Sequence, residues 1–370
     1  MNFRGLTRKF LIKIRGKETK HSMQNRVPSF KSLPRNRCRF GLNLLGFVLL
    51  AMLCTPKPVH AIYLAEYNGT HAQVSAASSL SPATFSSPDG LALDLAGNLY
   101  IADTGNNRIL KAPAGSATAA LFAVSIGGTA ATFSGPRKLA VDSAGNLYIA
   151  DTGNNRVVKS DPLGNGTVLS IGSSLSPATL NGPRGVAVDT VGDVFISDTG
   201  NNRIVELPSA GAPTVLVTTG IALTTLNSPR GLAVDTYNNL YITDRNNNRV
   251  IKVTQPSLVA TNFTADFPGY AGSISDPDAV ATAKNGVVYI LDENVGADGY
   301  RVAVIEPQGN QYDLFSDMNN SSFGVPTAIA VDSKGAFYLT DTEGNSVISF
   351  IRVRQTSAKF SWEVPALRRR

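Results

Sequence analysis

Residues 135–159, GPRKLAVDSAGNLYIADTGNNRVVK, read as short apolar runs folded back on one another. Residues 139–142 and 147–151 are β-prone and joined by a Gly-Asn turn, and a second turn, Gly153-Asn154-Asn155, leads into a third run opened by Arg156. Two successive hairpins result. A fourth run, residues 168–171, is expected after Asn165-Gly166, closing the unit before the next Pro.

The pattern occurs six times. Its second Asp falls at Asp103, Asp151, Asp198, Asp244, Asp292 and Asp341, each fifteen positions after Pro88, Pro136, Pro183, Pro229, Pro277 and Pro326. A period of 46 to 49 residues with four short strands per copy signals stacked β units, and so predicts an all-β chain, a six-bladed β-propeller of four-stranded antiparallel blades. Each copy has too few apolar residues to bury a sheet alone, so neighbouring blades must cover both faces. Tyr100, Tyr148, Phe195, Tyr241, Tyr289 and Tyr338 share one strand position and are expected in the core between blades. Gly105, Gly153 and Gly200 are expected to supply positive φ at the turns. The last copy lacks a fourth strand. The segment from Asn68 to Val74 precedes the first copy as residues 165–169 precede the third, so it is expected to complete the final blade and remove the free edges.

The net charge of +7 is unevenly placed. Residues 1–60 hold thirteen Lys/Arg and one acid, Glu18, while the remainder is acidic, with 21 basic and 26 acidic groups. That body lacks the excess of Lys/Arg that phosphate backbones demand, so no nucleic acid partner is expected. Residues 41–54 form a mostly apolar stretch, shorter than the roughly 20 residues of a membrane span. With Val59-His60-Ala61 after it, residues 1–61 read as a basic leader and signal peptide, with Met23 an alternative start. Length favours cleavage over an uncleaved signal anchor, the one membrane attachment expected. Leu53 before Cys54 argues against a lipid anchor. Cys38 and Cys54 both lie in the leader, so the exported body, periplasmic, at the cell surface or secreted, contains no thiol. The propeller is assigned to residues 62–353 and a short basic tail to 354–370.

Copies such as GPRGVAVDTVGDVFISDTGNNRIVEL (182–207) and SPRGLAVDTYNNLYITDRNNNRVIKV (228–253) resemble the NHL repeat family across about residues 62–353. The resemblance implies a six-bladed propeller used as a binding platform. Its look-alikes include extracellular sensor domains of bacterial receptor kinases, but this chain has no kinase domain. The family includes zinc-using amidating lyases that depend on several histidines. After Ala61 this chain has only His71, so no such centre can be assembled, and neither metal nor other cofactor is expected. Two copies depart from the pattern. In the fifth, Ala283 replaces the first Asp and Arg301 lies nine positions after Asp292; in the sixth, Ser346 stands where Arg is expected.

Repetition argues that the Asp/Arg pairs Asp103 with Arg108, Asp151 with Arg156, Asp198 with Arg203 and Asp244 with Arg249 fix turns. Catalytic carboxylates would be unique and differently placed, and no catalytic residue stands out. The asymmetric feature is the position after each Pro. It is Arg137, Arg184 and Arg230 in three consecutive copies, but Asp89, Asp278 and Thr327 in the others. Strand direction puts these lead-in loops and the Asn-Asn turns on one face, making the arc a candidate binding surface; the plainer alternative pairs these arginines with neighbouring turn carboxylates. The expected function is an exported binding or scaffold module for a protein, peptide or envelope polymer. A propeller lyase or hydrolase at the channel mouth is the alternative.

Overall fold

The computed structural model describes residues 71–263, 274–294, 299–309, 311–313, 324–333 and 335–350. The leader with its cleavage site, the tail from Arg354, and residues 295–298 of the enlarged fifth-copy turn lie outside them. Among the described residues the chain is all-β, broken only by single 3-10 turns, and no helix is long and apolar enough to cross a membrane.

Each of the first five copies forms four antiparallel strands in chain order, as in the second: Pro136–Val141, Leu147–Asp151, Arg156–Ser160 and Asn165–Val168. The fourth strand thus begins at Asn165 and not at Val168. The turn lies earlier, where Asp161 Oδ1 accepts from the Leu163 and Asn165 amides and Gly164 takes φ 93°. The enlarged fifth hairpin lengthens its strands to Val288–Asn294 and Gly299–Ile305 while keeping Asp292 opposite Arg301.

The sixth copy supplies three strands, and His71–Ala76 pairs antiparallel with the last of them, Val74 opposite Val347. The same strand runs on in parallel beside Thr118–Leu121, so one eight-stranded sheet joins the last copy to the first. Every apolar cluster is shared by two consecutive copies: Phe122 and Ile149 join copies one and two, for example, while Val347 and Ile101 join six and one. Sheets that cover one another face to face in this cyclic order form a β-propeller. Tyr100, Tyr148, Phe195, Tyr241 and Tyr289 are buried in these layers, and Tyr338 is half-buried.

Gly105, Gly153 and Gly200 do not take positive φ. The left-handed residues of these turns are Asn107, Asn155 and Asn202, at φ 53–54°. The glycines are required by space: a Cβ on Gly153 would lie 2.4 Å from Ser134 Oγ and 2.7 Å from Ser134 O. The same asparagines link the copies. Asn107, Asn155 and Asn202 accept from the backbone N of Gly135, Gly182 and Ser228, and Asn345 accepts from Ser87 N, from the last copy to the first.

Candidate functional site

Local chemistry first fixes the turns. Asp151 is fully buried; its Oδ1 accepts from Ser134 N at 2.8 Å and its Oδ2 from Asn154 Nδ2 and Arg156 Nε at 2.8 and 2.7 Å. Asp103 with Arg108, Asp198 with Arg203 and Asp244 with Arg249 repeat this geometry at 2.7 Å, as does Asp292 with Arg301 despite the longer turn. In the sixth copy Asp341 instead accepts from the amides of Gly324 and Gly344. The carboxylates are saturated by their own copies. The ring arginines therefore do not pair with them.

Thr104, Thr152 and Thr199, each following a turn Asp, donate Oγ1–H to Pro136, Pro183 and Pro229 O in the next copy at 2.6 Å. Thr342 closes the series onto Pro88 O at 3.2 Å. These bonds place the turns and lead-in loops at one end of the propeller and fix where each first strand begins. The first strands pack side by side around the axis. Where they are tightest only glycine fits: a Cβ on Gly90 would lie 1.8 Å from Arg137 O, and one on Gly185 would lie 2.0 Å from Arg230 O.

This crowding draws the six residues after the prolines into one cluster. Arg137 pairs with Asp89 and Arg230 with Asp278, so the acidic and basic positions are joined and do not face each other as separate patches. Lys138, which the sequence reading overlooked, lies at the centre. Its Nζ donates to Asp89 Oδ1 at 2.6 Å and to Thr327 O at 2.6 Å, and reaches Asp278 Oδ2 at 3.2 Å. Asp89, Lys138 and Asp278 are all buried. A signal existed: at this position the copies carry Gly90, Gly185, Gly231, Ala279 and Ala328, against a single Lys.

Arg184 is different. No ion pair or hydrogen bond to its side chain occurs among the described residues, and its flanking ring positions are Arg137 and Arg230. Burial and then repulsion by those two guanidiniums pull its pKa well below the ordinary arginine value, to about 10, so it remains a cation at neutral pH. For Asp278, burial acts to raise the pKa, but the charges of Lys138 and Arg230 outweigh it and hold the carboxyl below its ordinary value. The cluster can therefore hold fixed charge and offer guanidinium donors to a ligand. No group of three or more His, Cys, Asp or Glu side chains is gathered among the described residues. A separate cleft of about 410 Å³ lies between the fourth and fifth copies, with Tyr237, Tyr241, Lys252 and Gln311 on its walls.

No curated protein matches the chain. Among solved structures it is similar to a gluconolactonase from Xanthomonas campestris, with TM-score 0.55, 16% identity, and coverage of 72% of this chain and 86% of that one. It is also similar to a catalytically inactive virginiamycin B lyase from Staphylococcus aureus with quinupristin, with TM-score 0.51, 15% identity, and coverage of 75% and 84%. A protein of unknown function from Bacteroides thetaiotaomicron gives TM-score 0.54, 17% identity, and coverage of 76% and 75%. At such identities the likeness is one of fold. The NHL repeat model matches residues 85–111, 133–159, 180–207 and 226–252, the first four copies of the pattern. With that match repeated at the period of the blades, residues 85–252 carry four NHL repeats.

Proposed function

We propose that this protein is an exported six-bladed propeller that binds a protein, peptide or envelope polymer at the end of the axis where the lead-in loops meet, acting as a recognition or scaffold module without chemistry of its own. The observation that carries this reading is the axial cluster. On a frame whose turn Asp/Arg pairs recur in five copies, Asp89, Arg137, Lys138, Arg184, Arg230 and Asp278 are placed asymmetrically and converge. Loops held on a rigid frame are where recognition resides. The leader would direct export to the periplasm, cell surface or medium, or hold the protein at the membrane as an uncleaved anchor. Nucleic acid is not a proposed partner.

A lyase or hydrolase with its site at the channel mouth is the second reading, favoured by the likeness in fold to virginiamycin B lyase and gluconolactonase. The two are separated by immobilising the full-length chain and titrating it with fractionated envelope from its own cells. Saturable retention of an unaltered component supports the binding module. Release of that component in cleaved form favours the enzyme, and no saturable retention overturns the binding reading.

A further inference from the structure

The axial cluster is incompletely neutralised. Arg137, Lys138, Arg184 and Arg230 face two carboxylates, Asp89 and Asp278, which leaves two positive charges in excess. The ion pairs are distributed so that the excess falls in one place. Arg137 turns to Asp89 in the copy before it, Arg230 turns to Asp278 in the copy after it, and Arg184 between them forms no ion pair, although both aspartates attract it from further off. A partly desolvated cation flanked by like charges is costly, and an oxoanion beside it would relieve that cost.

We propose that the mouth of the propeller is an oxoanion site, in which a carboxylate or phosphate group of the ligand is held by Arg184 with Arg137 and Arg230 on either side. This rests on the binding reading above and supplies the chemistry recognised. Guanidinium donors lie in a fixed plane that matches either oxoanion through paired hydrogen bonds. Asp89 and Asp278, the partners of the flanking arginines, are themselves held by Lys138. By tying down the flanking arginines they hold the donors in place before a ligand arrives, which lowers the ordering cost of binding. Arg184 is only half-buried, so the site is open to solvent. Its depressed pKa has the same origin and would rise back toward the ordinary arginine value when the anion binds.

The test is thermal unfolding of the full-length chain at pH 7 in sodium phosphate, sodium acetate or sodium chloride of equal ionic strength, for wild type, Arg184→Met and Arg184→Lys. Wild type is expected to melt at rising temperature with phosphate, acetate or both, beyond the effect of chloride. Arg184→Met should need at least about tenfold more anion for the same shift, and Arg184→Lys, which keeps the charge but loses the paired donors, should fall between. A response to phosphate alone assigns a phosphate-bearing ligand, and a response to acetate alone a carboxylate. The absence of any anion-specific shift in wild type, or an equal shift in a folded Arg184→Met, overturns the site. An envelope component retained equally by wild type and Arg184→Met would leave the binding module standing and overturn the oxoanion site; anion-specific stabilisation without any retained component would do the reverse.

Discussion

The ammonium of Lys138 stands 3.2 Å from Oδ2 of Asp278, a residue 140 positions further along the chain and three copies away around the ring. The same nitrogen bonds Asp89 in the first copy and the Thr327 carbonyl in the sixth, so one side chain ties four copies together at the axis. Removing it leaves each buried carboxylate with a single arginine. Lys138→Met is expected to cost about 3 kcal/mol, the scale for losing one partner of a buried ion pair. Lys138→Gly, which restores the residue that three other copies carry, should cost as much if charge and not volume is responsible. Urea unfolding with an unchanged slope would measure both, and a loss confined to Lys138→Met would refute the assignment.

Acid should act through the same cluster. Asp278 titrates below its ordinary 3.8 because Lys138 and Arg230 outweigh burial. A carboxylate with a lowered folded pKa contributes stability that is complete above the unfolded value and is lost as the pH falls through it toward the folded one. Wild type should therefore weaken below a pH of about 4, and Asp278→Asn should be less stable at pH 7 but flatter below 4. Identical pH slopes for the two proteins would contradict this.

Within a turn, the carboxylate should matter more than the arginine. The sixth copy shows why: Asp341, with Ser346 in place of Arg, is still buried and still accepts from two amides. Arg156→Ser is accordingly expected to cost about 2 kcal/mol, the scale of a hydrogen bond to a charged group. Asp151→Ala leaves the Ser134 amide without its acceptor and takes the carboxylate from Asn154 and Arg156, which keep only the Thr132 carbonyl, and should cost about 3 kcal/mol or more. Chemical denaturation of both variants and the double mutant would order them, and the reverse order would exclude this account.

Crowding, not dihedral strain, governs Gly153. Gly153→Ala drives a Cβ into Ser134 and is expected to cost about 1–3 kcal/mol, as overpacking does. Asn155→Gly relieves a left-handed residue at φ 54° but loses the bond to Gly182 N, and the two effects should cancel to within about 1 kcal/mol. A neutral Gly153→Ala beside a damaging Asn155→Gly would reverse the assignment.

Much of the site was one step from being readable. Around a ring the residues after the prolines run Asp89, Arg137, Arg184, Arg230, Asp278, Thr327, and that order alone sets Arg184 between two arginines. What it leaves open is how far each side chain reaches. The arginines pair with the flanking aspartates because the turn carboxylates are already filled by donors five residues away, as Asp151 is by Arg156. The role of Lys138 was missed because it differs from the pattern by one residue in one copy, and a single departure carries no meaning until the axis on which it falls is known.

The local features of this protein are fixed by near neighbours in the chain. The period, the hairpins, the Asp/Arg proximity across a turn and the aromatic layer all follow from residues a few positions apart, where strand alternation and turn chemistry act without distant partners. Tertiary structure alone decided the remainder: that Lys138 meets Asp278, that His71–Ala76 runs on to join the first copy, and that Gly153 is needed for space. Those outcomes depend on how closely neighbouring copies approach at the axis, and that distance is set by the summed packing of the whole ring.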